Sequence, residues 1–172
     1  IRDYAGADLP EAAGALLMIE VDGPGACIGQ SAATVSAAAQ GTGCLGVEQA
    51  TTDEEVARLW ETRKALSPAL RTVAPKKVNE DVVVPVSRMP ELVAGLDALA
   101  RRFGITIVNC GHAGNGNLHV NLLADPDAPG EMEAVERCLG EVFQLVLELG
   151  GTLSGEHGIG SVKRDYVAQE LD

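Results

Sequence analysis

The stretch "ITIVNCGHAGNGNLHVNLL" (105–123) constrains this chain more than any other. Two apolar runs flank Asn115-Gly116, the strongest short-range signal for a hairpin. Strands joined that tightly are antiparallel, so the sheet of this protein contains an antiparallel pair. A two-residue turn sets Gly114 against Asn117, Ala113 against Leu118 and His112 against His119. Directly opposed residues have Cβ atoms ~4.5–5.5 Å apart. Alternation adds Asn121 to the histidine face and turns Leu118, Val120 and Leu122 to the other. One face is apolar; the other carries two histidines and an asparagine.

The rest of the chain reads as strands bridged by helices. Apolar runs bounded by turn residues predict strands at 14–23, 43–50 and 78–86, besides the hairpin strands 105–112 and 117–123. Helices are predicted at 28–41, 51–73, 87–104, 129–151 and 161–171, with 152–160 as a loop. Thr51 or Thr52 can cap the 51–73 helix, and Pro68 should kink or end it. Helical crossovers together with a tight hairpin predict an α+β fold. Its largely antiparallel sheet is flanked by helices on one side, in ferredoxin-like units. At 46% hydrophobic residues the chain can bury a core, but only 3% are aromatic, so Val, Leu, Ile and Ala must build it.

Net charge decides the class of partner. At −12 the chain lacks the basic footprint that nucleic acid requires, and it is repelled by anionic lipid. The four cysteines show no C-x₂₋₄-C spacing and read as free thiols of a reducing compartment. No apolar run approaches the ~20 residues of a membrane span, and no secretory leader is read. The expected place is the cytoplasm, with peripheral attachment to the inner membrane left open.

Two imidazoles on one sheet face can share a divalent cation, or each can be satisfied separately. The segment "SGEHGIG" (154–160) favours the first reading. Its glycines let backbone approach a ligand, and Glu156 would complete a His₂Glu set with an open position. His157 is then free to act as a general acid or base. H-E-x-x-H is absent, so a metalloprotease helix is not supported. On the 51–73 helix, Arg63 falls within the stripe of Val56, Leu59, Trp60, Leu66 and Leu70. A guanidinium there suits a substrate carboxylate, with Ser67 one turn on, or it pairs with Glu80 or Asp81. From residues alone two further readings stand: a metal-dependent hydrolase using His112, His119 and Glu156, and a non-catalytic ferredoxin-like ligand-binding module.

"GHAGNGNLHVNLL" (111–123), "GGTLSGEHGIGSVKRDYV" (150–167) and "KKVNEDVVVPVSRMPELV" (76–93) together resemble the C-terminal domain of FAD-linked oxidases. These are vanillyl-alcohol-oxidase-type flavoproteins that include the glycolate oxidase FAD-binding subunit, D-lactate dehydrogenase and D-2-hydroxyglutarate dehydrogenase. The resemblance covers nearly the whole chain. It implies a substrate- and metal-binding cap domain over 1–172, and oxidation of a 2-hydroxy acid such as glycolate or D-lactate to the 2-oxo acid, with hydride passing to FAD. It implies a divalent metal, zinc or manganese, at His112, His119 and Glu156. It makes His157 the residue that takes the hydroxyl proton, and gives the substrate carboxylate to Arg63 and Ser67, Ser67 standing where some relatives have threonine. Asn121 matches a polar residue lining the same pocket. Asn79 stands where some relatives have lysine, which bears on the substrate's distal group. An N-terminal FAD-binding domain and a short C-terminal tail are expected outside this chain. The face left for them should be apolar, so self-association into a homo-oligomer is expected, and the chain alone is expected to be inactive.

Overall fold

The computed structural model describes residues 2–6 and 8–171. The chain divides into two compact units, Ile1–Ala69 and Leu70–Asp172.

The first unit is helical among its described residues. It contains α1 (Arg2–Ala5), α2 (Gly25–Ala39) and α3 (Asp53–Lys64), and α4 (Leu66–Leu70) runs across its end. Thr52 caps α3: its hydroxyl accepts from Glu55 N, and the Glu55 carboxylate accepts from the amides of Thr51 and Thr52. These bonds, led by the one from Thr51, hold the Glu55 carboxyl below its ordinary value. The break expected from Pro68 falls at Ala65, between the end of α3 at Lys64 and the start of α4 at Leu66. Proline has no N–H to give the carbonyl four residues back, and its ring crowds that carbonyl. Pro68 itself sits in the first turn of α4, where no donor is needed.

The strands expected at 14–23 and 43–50 do not form. Neither segment has a ladder partner among the described residues, and Leu16, Leu17, Ile19, Leu45 and Val47 are exposed, Leu17 by 72%. An apolar run becomes a strand only when a neighbour takes its N–H and C=O groups and a second layer covers its side chains.

The second unit is α+β, as the sequence predicts. Its sheet has three strands: β1 (Lys76–Val83), β2 (Thr106–His112) and β3 (Asn117–Ala124), in the order β1-β3-β2. Both edge strands run antiparallel to β3, so β1, α5 (Met89–Phe103) and β2 form a split β-α-β unit around it. Gly104 ends α5 in the left-handed conformation at φ 67°, the stop read from sequence. After β3 comes α6 (Glu131–Glu148), and the predicted final helix shrinks to a 3₁₀ turn and α7 (Val167–Glu170).

The core lies on one side of this sheet. Leu92 and Leu96 of α5 and Val135, Val142, Phe143 and Val146 of α6 pack on Val82, Leu118, Val120 and Leu122. Burying each such side chain contributes ~1.5–3 kcal/mol against leaving it in water. Period-two alternation then turns Asn117, His119 and Asn121 to the face away from α5 and α6. Among the described residues no helix is long and apolar enough to cross a membrane.

Candidate functional site

The hairpin register differs from the one expected by two residues. His112 pairs with Asn117, Gly111 with Leu118, and Cys110, not His112, stands opposite His119. The expected turn needs positive φ at both central residues, and among the described residues no non-glycine residue adopts it. Instead Ala113–Asn115 makes a single 3₁₀ turn and Gly116 alone is left-handed, at φ 71°. A Cβ at Gly116 would lie 2.0 Å from the Val84 carbonyl oxygen, so glycine is required there on both counts. A slip of one residue would send a side chain to the wrong face; a slip of two returns it. His112 therefore remains on the face of His119, diagonal to it, with ring centroids 5.6 Å apart and edge to face.

The segment after α6 brings the other partners. An isolated bridge between Val83 and Thr152 anchors it along the outer edge of β1. Residues 154–157 then turn over the histidine face. Glu156 reaches both rings, with Oε1 3.3 Å from His112 Nε2 and Oε2 3.8 Å from His119 Nε2. His157 stacks on His119 at 5.2 Å between centroids, and its Nδ1 faces Asp81 Oδ1 at 3.6 Å. His112, Glu156 and His157 are partly open to solvent, whereas the His119 side chain is only 15% exposed. Burial pushes the His119 imidazole below its ordinary value, more than the Glu156 carboxylate raises it. The shift favours the neutral form, the one that can ligate a metal.

One ligand atom from each of His112, His119 and Glu156 lies within 4.8 Å of the other two. Two imidazole nitrogens and one carboxylate suit zinc or another borderline divalent ion, and three protein ligands leave a position for substrate. Tetrahedral bonds of ~2.0–2.1 Å place donor atoms ~3.3–3.5 Å apart; the two carboxylate–imidazole separations, 3.3 and 3.8 Å, lie near that range, and the three ligand atoms would draw in from their 4.8 Å bound around an ion. The fit lacks one partner. His119 Nδ1 is buried with no hydrogen bond among the described residues, where a ligating imidazole ordinarily donates.

Asn121 is buried on the same face, and its amide is engaged within the sheet. It donates to the carbonyls of Val108 (2.9 Å) and His119 (3.1 Å) and accepts from Asn79 Nδ2 (2.7 Å). Arg63 and Ser67 belong to the other unit and are exposed there, on α3 and α4. The alternative partners weighed for Arg63 are already engaged within the second unit. Lys163 faces Glu80 Oε2 at 3.6 Å and Asp81 Oδ1 at 2.6 Å.

Lys163 escapes the sequence reading, which names Asp81 only as a possible partner of Arg63. Asp81 lies opposite His119 in the ladder and is fully buried. Its Oδ2 accepts from the amides of Gly155 (2.8 Å), Glu156 and His157 (3.0 Å), and its Oδ1 takes Lys163 Nζ. Burial by itself would raise this carboxyl. Lys163 and the amides of Glu156 and His157 outweigh it and hold the group well below the usual carboxylate range. A signal was available: two acids interrupt the apolar run "VNEDVVVPV", and an acid inside a strand needs a cation.

The family model for the C-terminal domain of FAD linked oxidases matches residues 1–172. Over 99% of its length the chain is 37% identical to a glycolate oxidase subunit GlcD of Bacillus subtilis (strain 168), covering 36% of that protein. It is 32% identical to the glycolate oxidase subunit GlcD of Escherichia coli (strain K12), again over 99% of the chain and 34% of the relative. With a probable mitochondrial D-lactate dehydrogenase of Danio rerio it shares 34% identity over 69% of the chain and 24% of the relative. The chain thus spans about a third of the glycolate oxidase subunits it matches.

Proposed function

The chain belongs to the family of FAD-linked oxidase C-terminal domains, and from that premise we propose that it is the substrate- and metal-binding part of a flavoenzyme. The enzyme oxidises a small 2-hydroxy acid, glycolate or D-lactate, to the 2-oxo acid. The observation that carries this reading is the convergence of His112, His119 and Glu156 on one point, with His157 stacked beside it. The relatives named above are an oxidase and a dehydrogenase, which favours redox chemistry over the hydrolase and the passive binding module.

In this reading His112, His119 and Glu156 hold a divalent ion, zinc or manganese. The ion would supply Lewis acidity to the substrate hydroxyl, and FAD, bound outside this chain, would supply the electron acceptor. His157 takes the hydroxyl proton. Its Nδ1 faces the Asp81 carboxylate, which favours the tautomer protonated there and leaves the Nε2 lone pair to accept the proton. By the resemblance the substrate carboxylate is assigned to Arg63 and Ser67, and Asn121 braces the strand that carries His119 through its bonds to Val108 and His119. Contact with the rest of the enzyme, or between copies, would involve the exposed apolar residues of the first unit, Leu16, Leu17 and Ile19 among them.

The test uses the full-length protein. Glycolate and D-lactate should each be tried for anaerobic bleaching of the flavin before and after chelation. Chelation and His112→Ala should both slow bleaching, and added zinc or manganese should restore the chelated wild type only. Bleaching indifferent to chelator and to His112→Ala would remove the metal from the reading. No bleaching with any 2-hydroxy acid would remove the activity.

A further inference from the structure

We infer that Asp81 and Lys163 are positioning residues: together they form an anchor that seats the 154–157 segment over the histidine face, fixing where Glu156 and His157 point. The inference rests on the reading of Glu156 and His157 as site residues and adds a device to it.

The geometry is that of a carboxylate used as a template for backbone. Three consecutive amides, those of Gly155, Glu156 and His157, converge on the single oxygen Oδ2 of Asp81. Ser154 Oγ approaches Oδ1 at 3.4 Å, so every residue of the segment contacts this one side chain. Consecutive amides aimed at one anion fix the dihedrals between them, and with those the directions in which Glu156 and His157 leave the chain. Asp81 is itself held. Lys163 Nζ donates to its Oδ1 at 2.6 Å and to its carbonyl oxygen at 2.7 Å, gripping side chain and backbone together. Because Asp81 pairs with His119 in the ladder, the anchor is referenced to one of the two histidines that Glu156 must meet. Neither anchor residue reaches solvent: the side chains are 0% and 1% exposed. Contact with substrate is left to Glu156 and His157.

Gly155 gives independent support. A Cβ at this position would lie 2.7 Å from Val83 Cγ2 and 2.9 Å from Asn117 Cγ, so the segment is pressed directly onto the sheet. Only a residue without a side chain lets its amide come this close to Asp81.

The experiment is amide hydrogen exchange on the full-length protein, comparing a peptide across 153–160 with one from α6. In Asp81→Asn, which keeps shape but loses the anionic acceptor, the 153–160 peptide should exchange about tenfold faster or more while α6 keeps its wild-type rate. Gly155→Ala should loosen the same peptide without touching Asp81, and it decides the matter if Asp81→Asn does not fold. Wild-type exchange in 153–160 for the variants that fold, or a rise shared equally by α6, overturns the inference. A cobalt(II) titration gives a spectroscopic second arm. Asp81→Asn should weaken binding about 10–100-fold, whereas Leu92→Ala, destabilised through the core, should not. If the wild type binds no cobalt, it is the metal reading that fails, and the exchange result still decides the anchor.

Discussion

Lys163 Nζ lies 2.6 Å from Asp81 Oδ1, with both side chains closed to water. A buried ion pair is most costly when one member is removed, because the other is left uncompensated. Lys163→Met should therefore destabilise the protein by about 3–5 kcal/mol in urea unfolding. Lys163→Arg keeps the charge and should lose less. A loss near ~1 kcal/mol for Lys163→Met would put the pair on the scale of exposed ones.

The depressed Asp81 carboxyl gives stability a direction with pH. Its folded value lies below the unfolded 3.8, so the unfolded chain binds the proton first on acidification. The contribution is complete above about pH 5 and is lost progressively as pH falls through 3.8 towards the folded value. Urea unfolding followed from pH 6 to pH 3 should show that loss in the wild type. Asp81→Asn, weaker throughout, should have a flatter profile over the same window; parallel profiles would assign the acid sensitivity to other groups.

The two substrate-facing roles should separate kinetically in the full-length enzyme. His157→Asn should cut the rate of flavin reduction by ~10²–10⁴-fold, the scale of a lost general base, with little change in half-saturating substrate. Arg63→Met should raise the half-saturating concentration first, because it removes a contact made before the chemistry as well as during it. Stopped-flow bleaching across substrate concentration reads both. A wild-type rate in His157→Asn passes the proton to another group.

Cys27 and Cys44 should differ from Cys138 in reactivity. Burial pushes the Cys138 thiol up to about 11, while Cys27 and Cys44 are exposed. Iodoacetamide at pH 8, read by peptide mass, should label Cys27 and Cys44 in the folded protein and leave Cys138 until denaturant is added. The raised value also means that stability falls between pH 9, where the unfolded thiol ionises, and about pH 11.

The site was legible where it depended on local period and failed where it depended on distant pairing. Asn117, His119 and Asn121 share a face because alternation is a property of any strand, and that reading survived a hairpin register displaced by two. The displacement itself could not be read, since Asn-Gly fits both a two-residue turn and the four-residue loop the chain makes. The runs at 14–23 and 43–50 show the opposite case: the residue types suit strands, but pairing depends on what else is present. Lys163 and Asp81 are 82 positions apart, and nothing local to either names the other. The Pro68 break lay between these cases: its cause is local and the helix does end there, at Ala65, but the residue at which it ends depends on what the freed carbonyl meets.

The central position of β3 carries a consequence for how such a chain can change over evolutionary time. Leu118, Val120 and Leu122 sit under α5 and α6, while His119 and Asn121, between them, serve the opposite face. Inserting or deleting one residue within β3 would exchange the two sets, burying a histidine in hydrocarbon and lifting leucines into the site. Such lineages should be purged at once for misfolding and for inactivity alike. Length variation should therefore collect at the 113–116 turn, in even steps wherever it feeds back into the ladder, and β3 should pass through descent as an uninterrupted reading frame.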